Sequence, residues 1–220
     1  MTEQNKEVTM LNIQKLTNRV ANENTYFIYN DKFLLIVDPG SETEQILATI
    51  QTINLPIAAI ILTHTHYDHI MSVEAIRSAY SNVPVYVSPK EADWLYTPEL
   101  NLSGLDRHQD MQNVIVQPAE FEFVDYDSYT LGEMTFKVLP TPGHSAGGVS
   151  FLFDEFVVTG DALFKGTIGR TDLFTGNQEQ LINGIKVELL TLPETLTVLP
   201  GHGQSTTIRE EKWFNPFFKD

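Results

Sequence analysis

The segment HTHYDH, residues 64–69, sets three imidazoles and a carboxylate within six positions, one residue beyond the apolar run AAIIL (58–62). The chain has six histidines, and half of them stand here. A continuous apolar run with branched residues at its end suits a strand covered on both faces. After the cluster, Ile70, Val73, Ile76 and Tyr80 recur at helical spacing. The cluster therefore lies on the connection from a buried strand into a helix. In α/β sheets the carboxyl ends of strands are where ligands bind. No packing requirement favours three imidazoles in such a turn.

The surrounding pattern repeats this theme. YFIYN (26–30) and FLLIVD (33–38) flank a short turn and read as a hairpin. Ser41 and Glu44 form a capping box ahead of a helix whose apolar face is Ile46, Leu47, Ile50 and Ile53. VPVYV (83–87) is a strand, and Ser88, Pro89 and Glu91 open a further helix as cap, first-turn proline and first-turn acid. From 114 to 139 the runs VIVQ, FEFV and MTFKVL read as β. VSFLF (149–153) and FVVTG (156–160) form a second hairpin. Asn177 and Gln180 cap a helix carrying Leu181, Ile185 and Leu189, LTVLP (196–200) is a last strand, and a short helix follows. Two β-rich halves, each with helices, fit two sheets packed face to face with helices outside, as one domain over residues 1–220.

Five of the six histidines occupy turns that follow apolar runs: His64, His66 and His69, then His144 in VLPTPGHS, then His202 in TVLPGHG. His108, in the polar stretch LDRHQD, is the exception and reads as solvated. Asp161 follows the run FVVTG in the same way. If these strands share a layer, their ends converge on one rim. His64 and His66 are two apart and point the same way in an extended stretch. Asp68 and His69 are adjacent at a helix start and diverge. One metal ion can take the first pair and a second ion the other pair, with Asp161 offering one oxygen to each.

Composition narrows the chemistry. With no cysteine, thiolate zinc sites, disulfides and a cysteine nucleophile are excluded, so any metal is held by His, Asp or Glu. Against 14 Lys and Arg stand 29 Asp and Glu, a net charge of −15. Such a chain lacks the basic stripe that phosphate contacts need and repels anionic membranes, so nucleic acid and membrane are not expected partners. The polar amino-terminal stretch has no apolar signal-peptide region, and no run approaches the roughly 18 apolar residues of a membrane span. The expected compartment is the cytoplasm. Oligomeric state has no signal here.

THTHYDH, TPGHS, TGD and PGHG, in this order, resemble the motifs of the metallo-β-lactamase-fold hydrolases across nearly the whole chain. The resemblance implies an α+β fold, an αββα sandwich of two mixed sheets with helices on the outer faces. It implies that His64, His66 and His144 hold one ion, that Asp68, His69 and His202 hold the second, and that Asp161 bridges them. The stretch GDALFKGTIGRTDL (160–173) and the ending LPGHGQSTTIREEKWFNPFF resemble the compact glyoxalase II-like branch, the hydroxyacylglutathione hydrolase relatives. Arg170 stands where glyoxalase II has a lysine contacting glutathione, and Asp172 where it has a tyrosine. The chain ends 18 residues after His202, without the helical extension with which larger glyoxalases II bind glutathione. Where the family has small residues after the motif, this chain has IMSV (70–73), which is expected to narrow the pocket.

The function expected is hydrolysis of a small thioester or ester by a hydroxide bridging two divalent ions, zinc first, with iron or manganese as alternatives. Asp68 orients the nucleophile and receives its proton, and Arg170 binds an anionic part of the substrate. The alternative on the same fold is a persulfide dioxygenase, which uses one iron and carries a stretch like GRTD (169–172). A metal-dependent scaffold is the non-enzymatic alternative. The β-lactamases with a cysteine ligand are excluded, and the nucleases of the family carry insertions and basic surfaces that this acidic chain lacks.

Overall fold

Along β2 (Asn24–Tyr29) the side chains alternate between two apolar clusters: Tyr26 and Ile28 enter one, Phe27 the other. Successive strand residues face opposite sides of a sheet, so a strand buried on both sides lies between two cores. The computed structural model, which describes residues 10–105 and 111–219, carries this alternation through both sheets.

The first sheet runs β1 (Asn12–Thr17), β2, β3 (Leu34–Val37), β4 (Ile57–Ile61), β5 (Val85–Val87) and β6 (Phe121–Glu122) in chain order. Its first three strands pair antiparallel and the rest parallel. The second sheet has β7 (Ser128–Leu131), β8 (Met134–Pro140), β9 (Val149–Leu152), β10 (Phe156–Gly160), β13 (Thr197–Pro200) and β14 (Thr206–Thr207), in the order β14-β13-β10-β9-β8-β7. β11 (Leu163–Phe164) and β12 (Thr167–Ile168) form a separate small hairpin. Tyr26, Ile28, Val37 and Ile61 of the first sheet meet Phe136, Val138, Phe151 and Val158 of the second in the central core. On the outer face of the first sheet, Phe27, Ile36 and Ile60 pack with Ile46 and Ile50 of α1 (Thr43–Ile53) and Ile76 of α3 (Val73–Ala79). On the outer face of the second, Val157 and Val198 pack with Leu181 of α4 (Gln178–Gly184), with Ile185 and Leu189 of a π turn (Ile185–Leu189), and with Ile208 of α5 (Ile208–Phe214). This is the αββα sandwich that the motif pattern implies.

The rim differs from expectation. The strands that lead to the histidines do not share a layer: β4 lies in the first sheet, while β8, β10 and β13 lie in the second. Their ends still meet, because backbone hydrogen bonds join the sheets there. The Val149 amide donates to Thr63 at 2.9 Å, and the Asn24 amide donates to Gly201 at 2.7 Å.

Both hairpins, the Asn177 cap and the carboxyl-terminal helix form as read from the sequence; the Asn177 side chain accepts the Gln180 amide at 3.0 Å. Four local expectations fail. The Ser41–Glu44 box does not form, since α1 starts after Glu42 and the Ser41 hydroxyl accepts the Val20 amide instead. The helix after Ser88 is a 3₁₀ helix, Pro89–Tyr96, and Ser88 makes no side-chain cap. VIVQ is not a strand: the Val114 amide donates to the Ser103 hydroxyl and the Val116 amide to Leu95. Finally, IMSV does not narrow the pocket. Ile70 and Val73 point into the core against α1, and the buried Ser72 hydroxyl donates to the Gly40 carbonyl. Among the described residues, no helix is long and apolar enough to cross a membrane.

Candidate metal centre

The centre is built where β3 and β4 of one sheet meet β10 and β13 of the other. β3 is followed by Asp38, whose φ of +48° is a conformation that aspartate tolerates better than most residues. Its carboxylate accepts the Thr63 amide at 2.8 Å and the Thr63 hydroxyl, which fixes the chain as it leaves β4. β10 ends at Gly160, with φ +46°, and a Cβ there would strike the Thr63 side chain. Only glycine lets the second sheet approach this closely, and the approach brings Asp161 against the histidines of the first. α2 (Tyr67–Ile70) then carries Asp68 and His69 inward from its first turn.

Two triads result. His64, His66 and His144 present ligand-type atoms within 4.8 Å of one another, and so do Asp68, His69 and His202. His66 Nδ1 lies 2.9 Å from His144 Nε2. His202 Nε2 lies 3.5 Å from Asp68 Oδ2 and 3.4 Å from His69 Nε2. Asp161 stands between the triads: its Oδ2 is 3.3 Å from His144 Nε2 and 3.2 Å from His202 Nε2, and its Oδ1 is 3.4 Å from His69 Nε2. All seven residues singled out in the sequence thus meet. All are buried except His202, which is partly exposed.

The outer nitrogens fix the rings. His144 Nδ1 donates to the Arg170 carbonyl at 2.8 Å, and His202 Nδ1 donates to the Ala21 carbonyl at 3.0 Å. A carbonyl only accepts, so both rings carry a proton on Nδ1, and in the neutral form the inward Nε2 keeps its lone pair. His69 Nδ1 faces Asp38 Oδ2 at 3.0 Å. The Thr63 hydroxyl, donating to Asp38, faces His64 Nδ1 at 3.2 Å. One carboxylate therefore orients two rings, His69 directly and His64 through Thr63.

Charges are strongly coupled. Burial, with the neighbouring imidazoles, holds His64 and His66 well below the usual histidine range, which favours their neutral form. Burial also opposes charge on His69 and His202, but Asp68 and Asp161 outweigh it at His69, and Asp161 at His202, and both are raised. Burial opposes ionisation of Asp161, yet His202, His69 and His144 hold it well below the carboxylate range. Burial pushes Glu23 well above its usual range, partly offset by His69, whose Nδ1 is 3.8 Å from Glu23 Oε1.

The donor set fits divalent cations. His64 Nε2 and Asp161 Oδ1 are buried with no hydrogen-bond partner. Leaving such groups unsatisfied is costly, and neutral imidazole with carboxylate is a donor set that zinc and similar ions accept.

Three contributors escaped the sequence reading. Asp38, in FLLIVDPG, follows an apolar run just as Asp161 does, and that context was the available signal. Glu91, which the sequence marks only as a first-turn acid, is fully buried and accepts from Thr65 and Gly147. Glu23 carries no such signal. His108 lies outside the described residues.

A cleft of about 370 Å³ opens over Asp68, His144, Asp161 and His202. Leu102, Phe164, Ile168 and Leu173 line it. Arg170 lines it as well, but its guanidinium makes a bidentate pair with Asp172, at 2.7 and 2.8 Å, on the exposed side.

A sequence model of the metallo-beta-lactamase superfamily matches residues 18–202. The chain belongs to the metallo-beta-lactamase superfamily. A probable metallo-hydrolase of Streptococcus pyogenes serotype M6 is 56% identical over 95% of this chain and 91% of its own length. The hydroxyacylglutathione hydrolase GloC of Haemophilus influenzae is 31% identical over 94% of this chain and 98% of its own. Among solved structures of the superfamily, the B3 metallo-beta-lactamase BLEG-1 superposes with a TM-score of 0.89 at 38% identity, covering 96% of this chain and all of that one. TTHA1623 in a di-iron-bound form superposes with a TM-score of 0.80 at 34% identity, covering 93% and 99%.

Proposed function

We propose that the chain is a binuclear metallo-hydrolase of a small thioester or ester. The observation that carries this is the placement of Asp161 between two triads at the floor of an apolar cleft. The relatives named as a metallo-hydrolase and a hydroxyacylglutathione hydrolase, and the di-iron form of TTHA1623, support it.

His64, His66 and His144 would hold one ion, Asp68, His69 and His202 the other, and Asp161 would offer an oxygen to each. Zinc suits these donors, and iron or manganese accept the same set. When bound, such ions act as Lewis acids on a carbonyl and lower the pKa of water. The protein's own groups do the rest. Asp68 lines the cleft at its floor, placed to orient the attacking water and take its proton. The Arg170 and Ala21 carbonyls hold His144 and His202 in the tautomer that keeps Nε2 inward. Leu102, Phe164, Ile168 and Leu173 receive the apolar part of the substrate and exclude bulk water. Arg170 receives an anionic part once it leaves Asp172.

A second reading, β-lactam hydrolysis, is favoured by the likeness to BLEG-1. The absence of cysteine removes only β-lactamases with a thiolate ligand. The two are separated by assaying the metal-loaded protein with lactoyl-glutathione and other small thioesters, following free thiol, beside a chromogenic cephalosporin. Thiol release exceeding β-lactam opening is expected. No thiol release by metal-replete protein overturns the thioesterase assignment, and β-lactam turnover in its place supports the second.

A further inference from the structure

We infer that Glu91 is the positioning residue of the His64/His66/His144 triad, an inference that rests on the two-ion reading above. Glu91 sits in the 3₁₀ helix Pro89–Tyr96, outside both metal-bearing loops, and is fully buried. Its Oε2 accepts the Thr65 amide at 2.8 Å and the Thr65 hydroxyl at 3.1 Å. Its Oε1 accepts the Gly147 amide at 2.6 Å. Thr65 is the residue between His64 and His66, and Gly147 lies three residues after His144. One carboxylate therefore ties together the two loops, one from each sheet, whose spacing decides whether the three imidazoles can share an ion.

The contacts are of the strong kind. A buried carboxylate is tolerated only when its oxygens are satisfied, and hydrogen bonds to an ionised acceptor are shorter and stronger than neutral ones. Among the described residues Glu91 takes part in no salt bridge, so amide and hydroxyl donors carry its charge. The same helix lays Trp94 over His66, with ring centroids 6.2 Å apart and planes inclined by 23°. The loops need an acceptor on both sides. Glutamine offers one oxygen and a donor group, so Glu91→Gln leaves one amide facing another donor. Its effect should fall on the first triad, since neither Thr65 nor Gly147 adjoins Asp68 or His202 in the chain.

The test compares Co(II) affinity, by competition with a chromophoric chelator, in two backgrounds. His202→Ala leaves the His64/His66/His144 triad as the intact set, and His144→Ala leaves the Asp68/His69/His202 set. Glu91→Gln is expected to weaken Co(II) binding about ten- to a hundredfold in the first background, the usual range for losing a partner that orients ligands, and to leave the second unchanged. Equal losses in both, or none in the first, overturn the role. If Glu91→Gln does not fold, Thr65→Val, which removes the hydroxyl's contacts with the Glu91 carboxylate and carbonyl and keeps the amide's, must show the same asymmetry in smaller measure, and its absence overturns the role equally. A wild-type chain that takes fewer than two Co(II) ions overturns the two-ion reading itself. Two ions with no asymmetry overturn the role of Glu91 alone.

Discussion

Asp38 Oδ2 lies 3.0 Å from His69 Nδ1, while the same carboxylate accepts the amide and hydroxyl of Thr63, the residue before His64. A residue at the end of β3, with no place in either triad, thus sets the orientation of rings in both.

Asp38→Ala should therefore act on both ions. Removing a buried acceptor with several donors costs about 3 kcal/mol of stability, and losing the partner of a ligand histidine weakens metal binding about ten- to a hundredfold. Thermal melts with and without Zn(II) check both: a lower metal-free Tm and a smaller rise on loading. An unchanged metal-dependent rise would contradict the role.

Asp161→Ala removes the carboxylate whose oxygens lie within 3.4 Å of His69, His144 and His202. Metal content by elemental analysis is expected to fall below two ions per chain, and thiol release to fall with it. Full metal content in the variant contradicts a bridging Asp161, and loss of metal by the variant, where the wild-type chain has no turnover to lose, points to a scaffold.

Arg170 and Asp172 neutralise each other at the mouth of the cleft. Asp172→Ala releases the guanidinium, so kcat/KM for an anionic glutathione thioester should rise about fivefold relative to a neutral-carrier thioester, on the scale of an exposed ion pair. Arg170→Ala should abolish that gain in the double variant. Equal changes for both substrates would remove Arg170 from substrate binding.

Glu120 predicts a pH dependence away from the centre. Partial burial pushes its carboxyl up, but the Val85 amide and the Arg77 guanidinium, at 2.7 and 2.8 Å, outweigh this and hold it below the usual range. A carboxyl depressed in the folded state stabilises above its unfolded pKa and loses that contribution as pH falls through its folded value. Glu120→Gln should cost about 1 kcal/mol at neutral pH, with the difference in Tm from wild type closing as the solution is acidified. A gap that stays constant with pH contradicts the assignment.

The histidines were legible as candidate ligands because no packing need favours three imidazoles in a turn, and because His144, Asp161 and His202 each follow an apolar run. The sandwich was legible because β2, β3, β4 and β10 are apolar on both faces. β1 was not seen, since NIQKLT is an exposed edge strand whose order comes from pairing with β2. Asp38 shares with Asp161 the place after an apolar run, but its role and that of Glu91 rest on backbone amides 25 or more residues away, in Thr63 and Gly147, and local pattern carries no trace of those pairings. The helical spacing of Ile70 and Val73 with Ile76 puts them on the core face, so their bulk does not bear on the cleft.

The most direct measurement is elemental analysis of the anaerobically purified, metal-loaded chain. Two divalent ions per chain are predicted, shared through Asp161. A single iron per chain, taken up without a second site, would contradict the binuclear hydrolase and favour one-iron oxygen chemistry on the same fold.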